Sequence, residues 1–179
     1  SAVLDVLAKL NGSDTWKELL ARSPLNSIHP LYTFVVDENR GVFEWSPACG
    51  ALVEAMDHLW QHYSERTEAQ QKKARQFITE TVTKRPDFLE GYLALATIEE
   101  LDGNELKAGP IFDRAIKAAN ALIPKGFKGE IAWGYMDNRF YLRLLFNYMR
   151  WLVRDGQIGK AITLAKRQLR LNPEDNCGV

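Results

Sequence analysis

Cysteine is scarce in this chain: Cys49 and Cys177 are the only two in 179 residues, and neither belongs to a CxxC pair or adjoins a metal-ligand cluster. That excludes a disulfide framework and fits a reducing, cytoplasmic setting. No uninterrupted apolar run approaches the ~18 residues that a membrane span requires, and no basic-then-apolar leader opens the chain, so no membrane association is expected. Net charge is also missing, because 23 Lys plus Arg balance 23 Asp plus Glu. A generically basic nucleic-acid binder would not balance in this way. A glycine-rich phosphate loop, a nucleophile elbow and a convincing acid/base pair are likewise absent, so neither an enzyme nor a cofactor is expected.

One local absence says more. The stretch RFYLRLLFNYMRWLVR, from Arg139 to Arg154, holds four arginines and no acid. At about 100° per residue, Arg139, Arg143, Asn147, Arg150 and Arg154 fall in a stripe about 80° wide, and the rest of the helix is apolar or aromatic. Phe140, Leu144, Tyr148 and Trp151 share a face, which at that spacing is a core face. Like charges on adjacent turns repel by about a few tenths of a kcal/mol per pair, so something acidic is expected to face the stripe. It can come from within, from Glu90, Glu99, Glu100, Glu130 or acids of the N-terminal region, or from a partner. From Arg139 to Arg170 eight basic residues stand against Asp155 alone, which makes the molecule electrically two-ended.

From about Ala51 the chain reads as paired helices. ALVEAMDHLWQHY is followed by EAQQKKARQFITETVTK, which stops at Arg85-Pro86 because proline restricts the residue before it. DFLEGYLALATIEEL turns at Asp102-Gly103-Asn104 and returns as ELKAGPIFDRAIKAANAL, in which Pro110 predicts either a kink or a later start. The arginine-striped helix turns at Asp155-Gly156 and returns as IGKAITLAKRQLRLN. Glycine at these turns suits a left-handed helix C-cap.

The pairs share a pattern: Tyr92, Leu95, Gly103, Ala108 and Phe112 in one unit, which also has small Ala96 and Ala115, correspond to Leu145, Tyr148, Gly156, Ala161 and Ala165 in the next, which closes at Pro173. Ala74, Ile78 and Pro86 fit the second helix of an earlier unit. In these residues the chain resembles the tetratricopeptide repeat family over about residues 51–175. Met149 and Gln168 stand where that family has small residues, and His62 stands where close packing wants glycine or alanine, so the first pair needs an offset helix or a longer loop. The insertion at 121–138, ALIPKGFKGEIAWGYMDN, followed by Arg139 and with LNPEDN closing the last unit, is similar to a bacterial subset of the family. Trp133 and Tyr135 are expected to fold back over the helices, and Asp137 or Asn138 to cap the next one.

The resemblance implies an all-α helical-hairpin solenoid over residues 51–179, preceded by a small α/β-hairpin cap over residues 1–50. In that cap AVLDVLAKL and TWKELLA read as short helices, with Thr15 and Glu18 in capping-box spacing. LYTFVV, DENRG and VFEW read as strand, turn and strand, placing Tyr32, Phe34 and Val36 opposite Phe43 and Trp45. Such a hairpin is marginal alone and must lean on the helices or pair elsewhere.

In the family the first helix of each pair lines a concave groove. The resemblance therefore implies a protein-interaction module in which Arg143, Phe146, Asn147, Arg150 and Arg154 meet an acidic or C-terminal peptide segment. The middle unit offers Glu90, Leu93, Ala94 and Thr97 to the same groove, so a complete carboxylate clamp is not present. Two other readings remain open. Glu54, His58 and His62 lie at i, i+4 and i+8, but the outer two are ~12 Å apart along the axis, so no single metal ion takes all three. Leu59 after His58 also breaks the HExxH pattern. Alternatively, the last hairpin exposes apolar surface that a second copy or a further segment covers. Interleaved aromatics and arginines also suit stacking on single-stranded nucleic acid, against which the overall neutrality argues. Cys49 sits early in a helix after Pro47 and is read as a small buried hydrophobe rather than a nucleophile.

Overall fold

A computed structural model describes residues 29–60 and 63–179. The short helices read in the first 28 residues, with Thr15 and Glu18, lie outside the described residues, as do His62 and the His58 side chain, and with them the metal reading of that pair. The described chain is mostly helical, with one two-stranded antiparallel hairpin at its start: β1 (Tyr32–Asp37) and β2 (Arg40–Trp45). Six α-helices follow: α1 (Pro47–Trp60), α2 (Glu68–Lys84), α3 (Leu89–Leu101), α4 (Glu105–Leu122), α5 (Arg139–Arg154) and α6 (Ile158–Leu171).

Local chemistry sets the helix ends. Thr67 and Gln70 form a capping box at the start of α2, each side chain bonding the other's backbone N–H. Gly103 and Gly156 adopt φ of 73° and 76° at the α3–α4 and α5–α6 turns, the left-handed conformation that ends a helix at little cost in glycine. A 3-10 turn at Tyr63–Glu65 precedes α2, and the expectation tied to His62 lies outside the described residues. Helix α4 runs on through Pro110 from a start at Glu105. Next to that proline, a Cβ on Gly109 would collide with the Trp151 ring, and the Trp151 indole donates to the Glu105 carbonyl at 2.7 Å. A large ring on α5 is thereby seated on bare backbone of α4.

Each helix packs on the next, and the odd-numbered ones also touch one another, α1 with α3 and α3 with α5. The core runs through all of them. Tyr92, Ala96, Ala108, Phe112, Ala115, Leu145 and Ala161 are buried, and so is the expected aromatic face of α5, with Phe140 and Leu144 fully covered and Trp151 nearly so. Gln168 is also buried, its amide donating to the Leu142 carbonyl at 3.2 Å.

The hairpin both leans and pairs. Its register sets Tyr32 against Trp45 and Phe34 against Phe43. Phe43 then packs on Phe140 and Tyr141 of α5, at 5.1 Å between ring centroids in each case. The outer edge of β2 is closed by the 121–138 insertion. Gly41 N–H donates to the Glu130 carbonyl at 2.7 Å, Phe43 N–H to Asn138 Oδ1 at 3.0 Å, and Trp45 N–H to Asp137 Oδ2 at 3.2 Å. Every second backbone donor along that edge is thus satisfied, which removes an exposed strand edge.

Two expectations about the insertion need correction. Asp137 and Asn138 make no side-chain cap on α5; their polar groups serve the strand edge instead. Trp133 is half-buried beneath the Arg139 guanidinium, 5.2 Å from its ring centroid, but Tyr135 is 40% exposed and does not fold back. The anchor of the returning segment is Ile131, fully buried, whose N–H donates to the Leu171 carbonyl at 2.7 Å.

Candidate functional site

The odd-numbered helices and the end of the hairpin enclose a cavity of about 580 Å³. Val53, Met56 and Asp57 of α1 form one wall, and Glu90, Leu93, Ala94 and Thr97 of α3 form the floor. Arg139, Arg143 and Asn147 of α5 face them, and Trp45, Met136 and Asp137 close the end. The four α3 positions are those that the repeat register assigned to the groove. All of them fall on one helical stripe, which is why one register argument found them together.

Two of the five sequence-predicted site residues, Arg143 and Asn147, line this cavity. Phe146, Arg150 and Arg154 lie outside its lining. Arg143 donates to Glu90 Oε1 at 2.9 Å, and Arg154 is ion-paired with Glu100. These two contacts advance in the same direction along both helices, so α3 and α5 run parallel. Internal carboxylates therefore face part of the stripe. Arg150 differs: its guanidinium lies 5.9 Å from the Phe146 ring centroid, and among the described residues no carboxylate forms a salt bridge with it. Arg139 is held by the Trp133 carbonyl at 3.1 Å. Asn147 spends its amide on the Arg143 carbonyl of its own helix at 2.9 Å.

The Arg143–Glu90 pair is lopsided. The Glu90 side chain is 6% exposed and that of Arg143 is 49% exposed. Burial pushes the Glu90 carboxyl up to about 7; Arg143 opposes the rise and Asp57 adds to it. Asp57 is also raised, by burial, with Arg143 opposing. The cavity therefore carries both signs of charge, with Arg143 reaching into it from a partly exposed position and Glu90 sunk into its floor. Asp57, Arg139 and Trp45 were not singled out from the sequence as cavity residues. Arg139 belongs to the stripe and so had a signal, whereas nothing local sets Asp57 or Trp45 apart.

Cys49 is fully buried on α1, its thiol pushed up to about 12, first by burial and then by Glu90, Asp137 and Asp87. It packs as the small hydrophobe that its sequence context implied. Among the described residues no three His, Cys, Asp or Glu side chains gather as a metal-holding group, and no helix is long and apolar enough to cross a membrane. Comparison with protein-family models, curated proteins and solved structures returns no match. The site is therefore read from its own geometry.

Proposed function

We propose that the protein is a non-catalytic interaction module, a tetratricopeptide-like stack of helical hairpins whose groove holds an acidic or C-terminal segment of another protein. The stacking reading is supported by the contacts among α1, α3 and α5 and by the parallel course of α3 and α5, as expected when the first helices of successive hairpins lie side by side. The function reading is carried by one observation: a cavity between those first helices into which the half-exposed Arg143 projects beside Asn147. Arg150 over Phe146 extends the positive lip, and Arg154 lies beyond it. An extended peptide lying across α5 meets the cavity first and the free Arg150 fork next.

The test is binding of a fluorescein-labelled decapeptide of Asp and Glu with a free C-terminal carboxyl. Reversing the charge at Arg143 would set two carboxylates together beside buried Glu90, so neutral variants are preferable. Arg143→Gln combined with Arg150→Gln should weaken binding by about 30-fold, the loss of two charge-assisted contacts of roughly 1 kcal/mol each. The helical circular dichroism should be unchanged. Equal affinity in the double variant would overturn the reading.

A second reading has its own observation. Val153 at the end of α5, and Ile158, Ile162 and Leu169 along α6, are 40–50% exposed. That surface suits self-assembly of a structural scaffold, which predicts a mass in light scattering that rises with protein concentration.

A further inference from the structure

Glu90 belongs to the floor of the cavity and is fixed there. Its helix, α3, is the most enclosed of the six, with Leu89, Gly91 and Tyr92 buried around it. A Cβ on the adjacent Gly91 would collide with Phe88 and Val82, so the backbone is tightly packed at this point. The Glu90 N–H donates to the Tyr32 hydroxyl at 3.3 Å, which ties the same residue to the hairpin. Arg143, by contrast, is the exposed half of the pair, on a long and half-exposed side chain.

A carboxylate arriving in the cavity thus finds the Arg143 fork already engaged by a fixed internal carboxylate. The groups that act on Glu90 are Asp57 and Cys49 from α1, Tyr32 from β1 and Arg143 from α5, while Asp137 and Arg139 line the same cavity without acting on it directly. Among the described residues Arg143 is the cation that acts on Glu90; Arg139, the other arginine of the lining, is held by the Trp133 carbonyl and ring. An added anion would leave at least two carboxylates, buried Glu90 among them, sharing the Arg143 guanidinium, an arrangement in which one carboxyl takes a proton.

We propose that Glu90 is an internal competitor for Arg143, and that a peptide carboxylate enters the cavity together with a proton that solvent delivers to the Glu90 carboxylate. No other bond is made or broken. Protonated Glu90 releases its charge-assisted hold on Arg143 and gains an O–H that can donate to the incoming anion. The ionisation of Glu90 near neutrality places this exchange where modest pH changes move it. The inference rests on the reading of the cavity as a carboxylate site.

The experiment measures the dissociation constant of the same Asp/Glu decapeptide between pH 6 and pH 8, where its own carboxyls stay ionised. Wild-type protein should bind about tenfold more weakly at pH 8 than at pH 6, the ratio expected for one linked proton with a midpoint near 7. Calorimetry at pH 7 in two buffers of different ionisation heat should show proton uptake on binding. Proton uptake alone does not say which group takes the proton. The variant Glu90→Gln therefore carries the decision: its affinity should be flat with pH and should match at pH 8 the wild-type value at pH 6. Asp57→Asn, which leaves the Glu90–Arg143 pair in place, should move the wild-type midpoint downward.

A pH slope that persists unchanged in Glu90→Gln overturns the competitor role while leaving the carboxylate site standing, and so does wild-type binding that is flat with pH. Loss of binding in a folded Glu90→Gln also overturns it. If neither protein binds the peptide at any pH, the carboxylate site itself is overturned. Binding by Glu90→Gln where wild type binds weakly or not at all supports the proposal most directly.

Discussion

Replacing Asn138 with Ala is expected to destabilise the protein by roughly 3–6 kcal/mol, because three hydrogen bonds, two of them buried, end on one buried side chain. Its Oδ1 accepts from Phe43 N–H at 3.0 Å, and its Nδ2 donates to the Gly41 and Ala132 carbonyls, each at 3.1 Å. The side chain is fully buried, so water cannot take its place. Two of these partners are on the outer edge of β2 and the third is in the insertion, so the residue joins hairpin, insertion and α5 at one point. The aromatic contacts of Phe43 with Phe140 and Tyr141 depend on that junction and should loosen with it. In thermal unfolding followed by circular dichroism, a loss of this size lowers Tm by about 10 °C or more for a domain of this length. Asn138→Asp keeps the acceptor but loses the donors and buries a charge, and should be at least as damaging. A melting point within about 2 °C of wild type for Asn138→Ala would show that these bonds carry far less than their burial implies.

Asn138 also marks the boundary of what the sequence made legible. Helix starts and stops were readable because their causes are local: Arg85-Pro86 ends α2, and Gly103 and Gly156 accept the left-handed turn. The strand pair was readable from alternation, and the need for support followed from its small size. What supports it was not readable. Asn138 and Asp137 look like helix caps in sequence, but their bonding partners are more than ninety residues away on β2. The same distance problem governs the arginine stripe. Its lack of local acids is a sequence fact, yet whether the answering charge comes from the chain or from outside depends on how α3 lies against α5. The structure supplies Glu90 to Arg143 and Glu100 to Arg154 and leaves Arg150 over Phe146. Glu90 and Glu100 were among the candidates, but periodicity could not choose between them and Glu99. The latter turns the other way and pairs with Arg75 of α2. On a helix buried on several sides, one residue of offset decides which neighbour a carboxylate meets.

Raising the pH from about 5 to about 8 should itself weaken the fold through Glu90, by roughly 3 kcal/mol. A carboxyl whose folded pKa is raised gives stability that is fully present below its unfolded pKa and lost as pH rises through the folded one. For Glu90 burial carries that folded value up to about 7, with Arg143 opposing and Asp57 assisting, so the loss falls between about 4.5 and about 7. Asp87 acts in the opposite sense: burial alone would raise its carboxyl, but bonds from Arg85 and the Leu31 N–H outweigh it and leave a net lowering. Its contribution is present at neutral pH and lost only in acid, below the window in which Glu90 acts, so the two separate on the pH axis. Urea unfolding at pH 5, 6, 7 and 8 reads the effect directly. Wild-type stability should decline across the series, whereas Glu90→Gln, uncharged throughout, should lose most of that slope and exceed wild type at pH 8. A slope that survives the substitution would assign the loss to other groups and would leave Glu90 with its carboxyl ionised and adequately held by Arg143. If the slope does disappear, the fold is sustaining at neutral pH a carboxyl that would be easier to bury as the acid. That cost is most readily explained by a task for the charge, which joins the stability measurement to the competitor role inferred for the cavity.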